Sequence, residues 1–393
     1  MTAHLLQLRA PSARYPMLRW CHICSKKTEE VTMIRKILPS AVLFIVLAIC
    51  DDTFISRVGA TGSGGGGATA AAETVTWPGS LGGNSSQAYG VSSTGSVVVG
   101  YASNASGQYR AFRWTAAGGM KDLGDFGYAY AAAYGVSSDG SIVVGQAWNA
   151  NYQQRAFRWT AASGLKDLGT LGGPYAEAAD VSANGLVVVG DSWDATSNQH
   201  AFRWTAAGGM EDLGTFGGFD SGAYGVSADG SVVVGYASDP GGQPHAFRWT
   251  AMTGIRFIGT LGGFESQAFG VSADGSVVIG RSTNASNERR AFRWTASGGM
   301  QDLGTLGGVG SAAYDVSADG SVVVGDSADA SGQSRAFRWT AASGMKDLSS
   351  LYSASIGSGS YLAFANAISA DGQHIVGYGY NRRNARYEAF MTN

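Results

Sequence analysis

The sequence predicts an all-β fold, a seven-bladed β-propeller of four-stranded blades in which the N-terminal strand joins the C-terminal blade. Three observations predict it. The tetrapeptide Ala-Phe-Arg-Trp recurs six times at intervals of 45 residues, and a block close to Val-Ser-Ala-Asp-Gly-Ser-Val-Val-Val-Gly recurs seven times. Each repeat also contains four short runs of strand-forming residues. A fixed period of this length, with four strands in each unit, is typical of propeller blades.

The four runs of one repeat define its predicted strands. The first run reads AYGVS and leads into an Asp-Gly turn, whose glycine tolerates a positive φ. The second run, SVVVG, is apolar on both sides, as expected for a strand that neighbouring blades cover on both faces. The glycine that ends this run, Gly235 in one copy, predicts a close approach of two backbones near the axis. The third run is AFRWT and the fourth is GMKDL, with an Ala-Gly turn between them.

The two ends of the repeat array predict a closed ring. Residues 75–83 align with residues 210–218, which hold the fourth strand of an internal repeat, whereas the array ends with a third strand. An open stack would leave both end strands unpaired. We therefore expect residues 74–80 to complete the last blade, as in WD40-like propellers, whose pattern this sequence resembles. The strands that they would join lie at 363–370, 374–380 and 388–392.

The N-terminal segment indicates export. Arg35 and Lys36 precede the apolar run of residues 37–50, and residues 58–60 offer a small-residue cleavage site. The apolar run is too short for a comfortable membrane span. Lipidation at Cys50 is the alternative. The expected segments are 1–32, unstructured or preceding the true start; 33–60, a signal peptide; 61–73, a Gly/Ala-rich linker; and 74–393, the propeller.

The charge of the chain argues against two classes of partner. The chain has 27 basic and 29 acidic residues, and its lysines after residue 60 are Lys121, Lys166 and Lys346. Nucleic acids and anionic membranes are bound mainly through clustered Lys and Arg, so we expect neither as a partner. We also expect a monomer without a transmembrane helix in the mature chain, located outside the cell, on the cell surface or in the periplasm.

Patterns of catalytic and metal-binding residues are missing from the repeats. After Cys50 the sequence has no cysteine, and its histidines are His200, His245 and His374. It also lacks the Gly-x-Ser-x-Gly nucleophile motif and the spacing of a calcium loop. We therefore expect no enzymatic activity, no metal and no cofactor.

A second regularity pairs an arginine of the third strand with an aspartate of the fourth. Arg158 and Asp167 lie symmetrically about the intervening turn, so we expect their side chains to lie directly opposite each other. We interpret such pairs as structural contacts that hold the outer hairpin of each blade, with a role in ligand binding as the alternative. The equivalent pairs are Arg113 with Asp122, Arg203 with Asp212, Arg293 with Asp302, and Arg338 with Asp347.

Two loops of each repeat vary from copy to copy, whereas the Asp-Gly and Ala-Gly turns hardly change. In a four-stranded antiparallel blade the two variable loops emerge on the same side, and variable loops on a rigid scaffold commonly form binding surfaces. Aromatic side chains beside polar ones suit a sugar face or a protein interface, with simple covering of the loops as the alternative. The candidate ligand-binding residues are Tyr109, Tyr128, Tyr130, Trp148, Tyr152, Arg155, Tyr175, Trp193 and His200.

The repeat as a whole resembles a known family. Units that combine G-x-x-x-D-L-G-T-L-G-G, V-S-A-D-G-x-V-V-V-G and A-F-R-W-T are similar to the HAF repeats of bacterial extracellular proteins, over residues 75–393. The resemblance implies export and a surface or extracellular location. It implies no catalytic residues.

These observations favour an exported, non-enzymatic binding or adhesion module that recognises a glycan or a protein through the variable loops. A carbohydrate-active enzyme, either a lyase or a hydrolase, is the first alternative. It would need a pair of acids near the axis. A structural component of the cell envelope or matrix is the second alternative. The acids available to an enzyme are Asp180, Asp315, Glu177 and Glu265.

Overall fold

The computed structural model describes residues 74–393. The predicted segments at 1–32, 33–60 and 61–73 therefore lie outside the described residues. Antiparallel strands dominate the described part, and the short helices α1 (Leu348–Leu351) and α2 (Ser353–Ile356) interrupt them once. Among residues 74–393, no helix has the length and apolar character needed to cross a membrane.

The first half of the ring begins with a single short strand, β1 (Val75–Gly79). The next two repeats form β2 (Gly82–Val91), β3 (Val98–Asn104), β4 (Tyr109–Thr115), β5 (Gly119–Asp122), β6 (Gly127–Val136), β7 (Ile142–Asn149), β8 (Gln154–Thr160) and β9 (Gly164–Asp167). The third repeat forms β10 (Gly172–Val181), β11 (Val187–Asp194), β12 (Gln199–Thr205) and β13 (Gly209–Asp212).

The second half of the ring repeats this order. The fourth and fifth repeats form β14 (Ser221–Val226), β15 (Val232–Ser238), β16 (Pro244–Thr250), β17 (Gly254–Phe257), β18 (Gly262–Val271), β19 (Val277–Asn284), β20 (Arg289–Thr295) and β21 (Gly299–Asp302). The sixth forms β22 (Gly307–Val316), β23 (Val322–Asp329), β24 (Ser334–Thr340) and β25 (Gly344–Asp347). After the two helices come β26 (Tyr361–Ile368), β27 (Ile375–Asn381) and β28 (Arg386–Thr392).

The strands assemble into five sheets of four strands and one sheet of eight strands. The eight-stranded sheet contains β2 to β9, and a parallel bridge between Tyr109 of β4 and Tyr130 of β6 joins its two halves. The prediction of seven four-stranded blades is therefore wrong: the structure has five blades of four strands, and the eight-stranded sheet takes the remaining strands. The bridging residues lie in the variable part of the repeat, so the repeat pattern carried no signal for this pairing.

The sheet that closes the ring contains both ends of the described chain. Its strand order is β1-β28-β27-β26, with Val75 paired to Thr392 and Thr76 paired to Met391. The backbone amide of Val75 also donates to the hydroxyl of Ser355 in α2, at 2.7 Å. The expected joining of the N-terminal strand to the C-terminal blade is thus confirmed. Because β1 pairs with β28, neither end strand of the described chain is left without a partner.

The core explains the two most regular features of the repeat. A Cβ at Gly235 would stand 1.9 Å from the carbonyl oxygen of Gly222 on the neighbouring strand, where the pairing shifts by one residue. Only glycine permits this approach, as the sequence predicted. The phenylalanine of each AFRW motif is fully buried between sheets, and the same position is phenylalanine in the closing sheet: Phe112, Phe157, Phe202, Phe247, Phe292, Phe337 and Phe390.

Backbone contacts link one repeat to the next on the side of the Asp-Gly turns. The amide of Ser93 donates to the carbonyl of Ser138, and Ser138 donates in turn to Ala183, at 3.1 and 3.0 Å. The series continues through the following turns as far as Ala370. Arg113 adds a side-chain link, since its Nε donates to the carbonyl of Gly140 in the next turn at 3.1 Å. These contacts hold the constant side of the ring together, and the variable loops occupy the other side.

Candidate functional site on the variable face

The two variable loops of each repeat lie together, as the strand order requires. Leu81, in the loop before β2, forms a bridge with Asn104, at the start of the loop between β3 and β4. The same contact recurs between Phe126 and Asn149 in the next repeat. We use the term variable face for the side of the ring that carries these two loops.

Aromatic side chains form a continuous series of ring contacts across the first three repeats of the variable face. Tyr175 and Trp193 have ring centroids 5.0 Å apart. The other steps between strands are Tyr109 to Tyr130 at 6.3 Å, Tyr130 to Trp148 at 6.4 Å, and Trp148 to Tyr175 at 6.4 Å. Tyr128 of β6 and Tyr152, in the loop after β7, extend the series, because Tyr128 lies 6.1 Å from Trp148 and 4.9 Å from Tyr152. We call these seven residues the aromatic chain. All seven belong to the predicted ligand-binding set.

The two tryptophans occupy a position that is small and polar in three other repeats, where it is Ser103, Ser238 or Thr283. Ser238 of β15 accepts a hydrogen bond from the backbone amide of Asp220 at 2.9 Å. Thr283 of β19 makes the same contact to Glu265, at 3.0 Å. In those repeats the hydroxyl binds the backbone of the segment that precedes it in the same sheet. In the second and third repeats an indole ring stands in its place and contacts a neighbouring tyrosine.

The aromatic chain is partly exposed. Tyr109 is 39% exposed, Tyr128 38% and Tyr152 62%, whereas the two tryptophans are half-buried. Tyr152 has a φ of 60°, at the loop position where three other repeats have glycine in the same backbone region. A left-handed conformation is unfavourable for a tyrosine. This conformation holds an exposed phenol ring beside the other rings.

A polar layer lies one pleat inward from the rings. Glu177 of β10 and Asp191 of β11 are directly paired across the two strands, and the side-chain amide of Gln154 donates to Glu177 at 3.0 Å. Burial, followed by the negative charge of Glu177, raises the pKa of Asp191 well above the ordinary aspartate value. Burial also raises the pKa of Tyr130 and Tyr134, and the charge of Glu177 adds to both shifts. The side chains next to the rings on the inner side therefore carry negative charge.

Two predicted ligand-binding residues lie apart from the aromatic chain. Arg155 forms an ion pair with Asp167 at 2.8 Å, and His200 contacts Asp212 at 2.7 Å. Both aspartates belong to the outermost strand of their sheets, so these two side chains are directed away from the rings. The structure thus places seven of the nine candidates together and two at the outer edge.

The predicted pairing of arginines and aspartates is wrong by one residue. In the first repeat Arg113 lies opposite Lys121, and Phe112 lies opposite Asp122. Three residues separate Thr115 from its partner Gly119, and Gly119 has a φ of 63°. Such a three-residue turn shifts the pairing by one relative to the assumed symmetry. The same shift separates Arg158 from Asp167, Arg203 from Asp212, Arg293 from Asp302, and Arg338 from Asp347.

Four of the five aspartates instead pair with the residue that precedes Ala-Phe-Arg-Trp. Arg110 lies 2.9 Å from Asp122, and Arg290 lies 3.7 Å from Asp302. The arginines of the motif bind the next repeat: Arg248 donates to Gly275 and Arg293 to Gly320, at 3.1 and 3.2 Å. These contacts are structural links between sheets.

Two of the four acids proposed for a catalytic alternative bind backbone amides. Asp180 accepts from the backbone amides of Val181, at 2.7 Å, and of Val226 in the next sheet, at 3.1 Å. Asp315 makes the equivalent contacts to Val316 and Ile368, at 2.8 and 2.9 Å. Each carboxylate therefore joins two neighbouring inner strands, a role that occupies its oxygens.

Glu265 lies on the variable face of the fifth repeat, away from the aromatic chain. It lines a small cavity together with Arg281 and Arg289. The guanidinium of Arg281 donates to Gln267 at 2.8 Å and lies 5.6 Å from the ring of Phe269. Within residues 74–393 no three histidine, cysteine, aspartate or glutamate side chains are grouped as metal ligands.

Comparison with known proteins identifies the fold. The β-propeller domain of the trilobed protease from Pyrococcus furiosus aligns with a TM-score of 0.51 at 10% identity, over 77% of this chain and 95% of that chain. A puromycin hydrolase aligns at 0.50 and 16% identity, over 78% of this chain and 51% of that one. TolB from Acinetobacter baumannii gives 0.47 and 11%, over 77% of this chain and 64% of TolB, so this chain matches less than two thirds of the TolB chain. At such low identity the likeness shows the β-propeller fold alone.

No family model matches this chain, and no curated protein matches it. The resemblance to HAF repeats therefore stays a prediction.

Proposed function

We propose that this protein is an exported binding module without enzymatic activity, and that its ligand, a glycan or a protein surface, lies on the aromatic chain. One observation carries the proposal. Seven tyrosine and tryptophan side chains from variable positions of three successive repeats meet in one continuous series, and three of them are exposed. Rigid aromatic rings with polar neighbours supply large contact areas at low entropic cost.

The division of the ring into two faces supports the same proposal. The constant turns carry the contacts that link one repeat to the next, as in the bond from Ser93 to Ser138. The variable loops are thus free to differ without loss of closure. Export rests on the pattern of residues 33–60, where a basic pair precedes a short apolar run.

Substitution of the two tryptophans tests the proposal. We expect Trp148→Ala and Trp193→Ala to weaken binding of any ligand found on glycan and peptide arrays by tenfold or more, because each removes a large ring from the centre of the aromatic chain. Binding constants would be measured with the purified protein and the array ligand.

Met252→Ala is the matched control, since this apolar side chain is 94% exposed in a constant turn on the opposite side of the ring. The control should bind as the unaltered protein does. If both tryptophan variants bind normally while retaining their fold, the ligand does not use the aromatic chain.

A further inference from the structure

We propose that the ligand of the aromatic chain is a protein segment that presents a lysine side chain, and that Glu177 and Asp191 receive its ammonium group beneath Trp148, Tyr175 and Trp193. This inference rests on the proposed function and adds the chemistry of the ligand. We call Glu177 and Asp191 the acid pair.

The strand register places the acid pair directly under two rings of the aromatic chain. Glu177 and Asp191 are cross-strand partners, so their side chains share one face of the sheet. Tyr175 lies two residues before Glu177, and Trp193 lies two residues after Asp191, and their rings are in contact at 5.0 Å. Both acids keep partial exposure. A side chain that entered beside these rings from the variable face would therefore meet the carboxylates next.

The charge at this position suits a cation. Two carboxylates that face each other repel, and burial increases the cost of keeping both ionised. Burial raises the pKa of Asp191, Tyr130 and Tyr134, and the negative charge of Glu177 adds to each of these shifts. An ammonium group between the carboxylates would remove this repulsion, and the surrounding rings would add a favourable cation–π interaction.

A third acceptor lies on the neighbouring sheet, at the position in β7 that corresponds to Asp191 in β11. Gln146 of β7 is 7% exposed, and its side-chain Oε1 has no hydrogen-bond donor among the described residues. Its Nε2 donates to the hydroxyl of Tyr134 at 2.6 Å, and β7 packs against β10. A buried acceptor without a donor is unfavourable. Two carboxylates and one amide oxygen match the three N–H donors of an ammonium group.

The depth of the acid pair favours lysine over an amino sugar. The carboxylates lie two residues further along their strands than the rings, which corresponds to about 6–7 Å at the usual rise of a strand. A lysine places its ammonium group at the end of a flexible four-carbon stem, which can cover that depth between aromatic rings. An amine attached directly to a sugar ring would stay at the level of the aromatic side chains.

The side chain next to the position of Asp191 is also smaller than its counterparts. The third repeat has Ala179 where other repeats have Tyr89, Tyr224 and Tyr314, and these tyrosines are buried. In the fourth repeat the ring of Tyr224 stacks on Tyr236, which stands at the position of Asp191, and Ala179 cannot make such a contact.

Binding of small amines tests the inference directly. Butylamine, which copies the lysine side chain, and the uncharged butanol would be titrated into the protein and followed by NMR. We expect butylamine to bind at least tenfold more tightly than butanol. We expect Glu177→Gln and Asp191→Asn each to weaken the binding of butylamine by tenfold or more and to leave the binding of butanol unchanged. Equal binding of the two probes, or normal butylamine binding by both variants, would overturn the inference.

Asp326→Asn is the matched control. Asp326 occupies the same strand position in β23 and is half-buried like Asp191, but it lies opposite Ala312, so no second carboxylate faces it. Butylamine binding should be unchanged in this variant. Thermal unfolding of each variant would verify that the fold is retained.

Peptides separate failure of this inference from failure of the proposed function. An acetyl-Ala-Lys-Ala-amide peptide should bind, and its Nε-acetyl-lysine and arginine versions and a chitosan tetrasaccharide should bind at least tenfold more weakly. If the array ligand depends on Trp148 and Trp193 but lacks lysine, or is a glycan, the lysine inference fails and the proposed site stands. If binding of butylamine requires the acid pair but binding of no array ligand requires Trp148 or Trp193, the proposed function fails.

Discussion

Tyr152 stands at a loop position where glycine is the natural choice. Its φ is 60°, and the equivalent residues Gly107, Gly242 and Gly332 have φ values of 76°, 79° and 82°. A left-handed conformation costs a residue with a Cβ about 1–2 kcal/mol. Local strain of this kind is often retained at functional positions. At this position it holds an exposed phenol ring 4.9 Å from Tyr128.

Tyr152→Gly should separate stability from binding. We expect the free energy of unfolding to rise by about 0.5–1 kcal/mol, because relief of the left-handed tyrosine exceeds the added entropy of glycine in the unfolded chain. Ligand binding should weaken, because the exposed ring is lost. Urea unfolding and ligand titration measure the two effects.

Ser197→Gly supplies the comparison for this variant. Ser197 has a φ of 69° at the same loop position of the next repeat and does not belong to the aromatic chain. It should gain similar stability with unchanged binding. A Tyr152→Gly variant that is clearly less stable than the unaltered protein would show that the contact with Tyr128 outweighs the strain.

Among the elements, the Asp-Gly turns depend on a charged side chain. Asp139 accepts from the hydroxyl of Ser137 at 2.6 Å and from the amide and hydroxyl of Ser141, at 3.0 and 2.8 Å. These hydrogen bonds lower the pKa of Asp139 to about 2. Asp274 has the same partners in its own turn and the same low pKa. The third repeat uses Asn184 instead, which accepts equivalent bonds without a charge.

The turns predict a loss of stability in acid. Because the pKa in the folded protein lies below the ordinary value of 3.8, these carboxylates stabilise the fold above that pH, and the stabilisation disappears as the pH falls from about 4 to about 2. Thermal midpoints measured across this range should therefore fall.

Asp139→Asn combined with Asp274→Asn should make that fall shallower. Asparagine keeps the turn bonds, as Asn184 shows, but cannot titrate. An unchanged pH profile in the double variant would mean that other carboxylates cause the acid sensitivity.

The same elements show what the sequence could predict. Strand positions and the close glycine contacts follow from the repeat, because a Cβ at Gly235 has no space. The residue opposite Asp167 could not be predicted from the repeat. A three-residue turn and an even-numbered turn look alike in sequence, but the strand register that they produce differs by one residue. The sequence predicted that Trp148 and Tyr175 lie on the same face of the ring. It did not predict that their rings are in contact, because ring contacts between repeats depend on packing.

At the scale of the whole molecule, closure was predictable and sheet composition was not. The incomplete ends of the array are complementary, and β1 pairs with β28 as expected. The eight-stranded sheet arises from one bridge, between Tyr109 and Tyr130. The contacts on the two sides of the ring also differ: hydrogen bonds between turns repeat on the constant side, whereas the aromatic chain extends over three repeats of the variable face.

Fluorine NMR of the protein labelled with 5-fluorotryptophan tests the central claim, that the aromatic chain is the binding surface. Trp148 and Trp193 would be assigned by single substitution to phenylalanine, and spectra would be recorded with and without a ligand identified on the arrays. We predict that the fluorine signals of these two residues shift on binding. The signals of Trp294 and Trp339, which belong to the AFRW motifs, should keep their chemical shifts. Shifts confined to the AFRW tryptophans, with Trp148 and Trp193 unmoved, would contradict it.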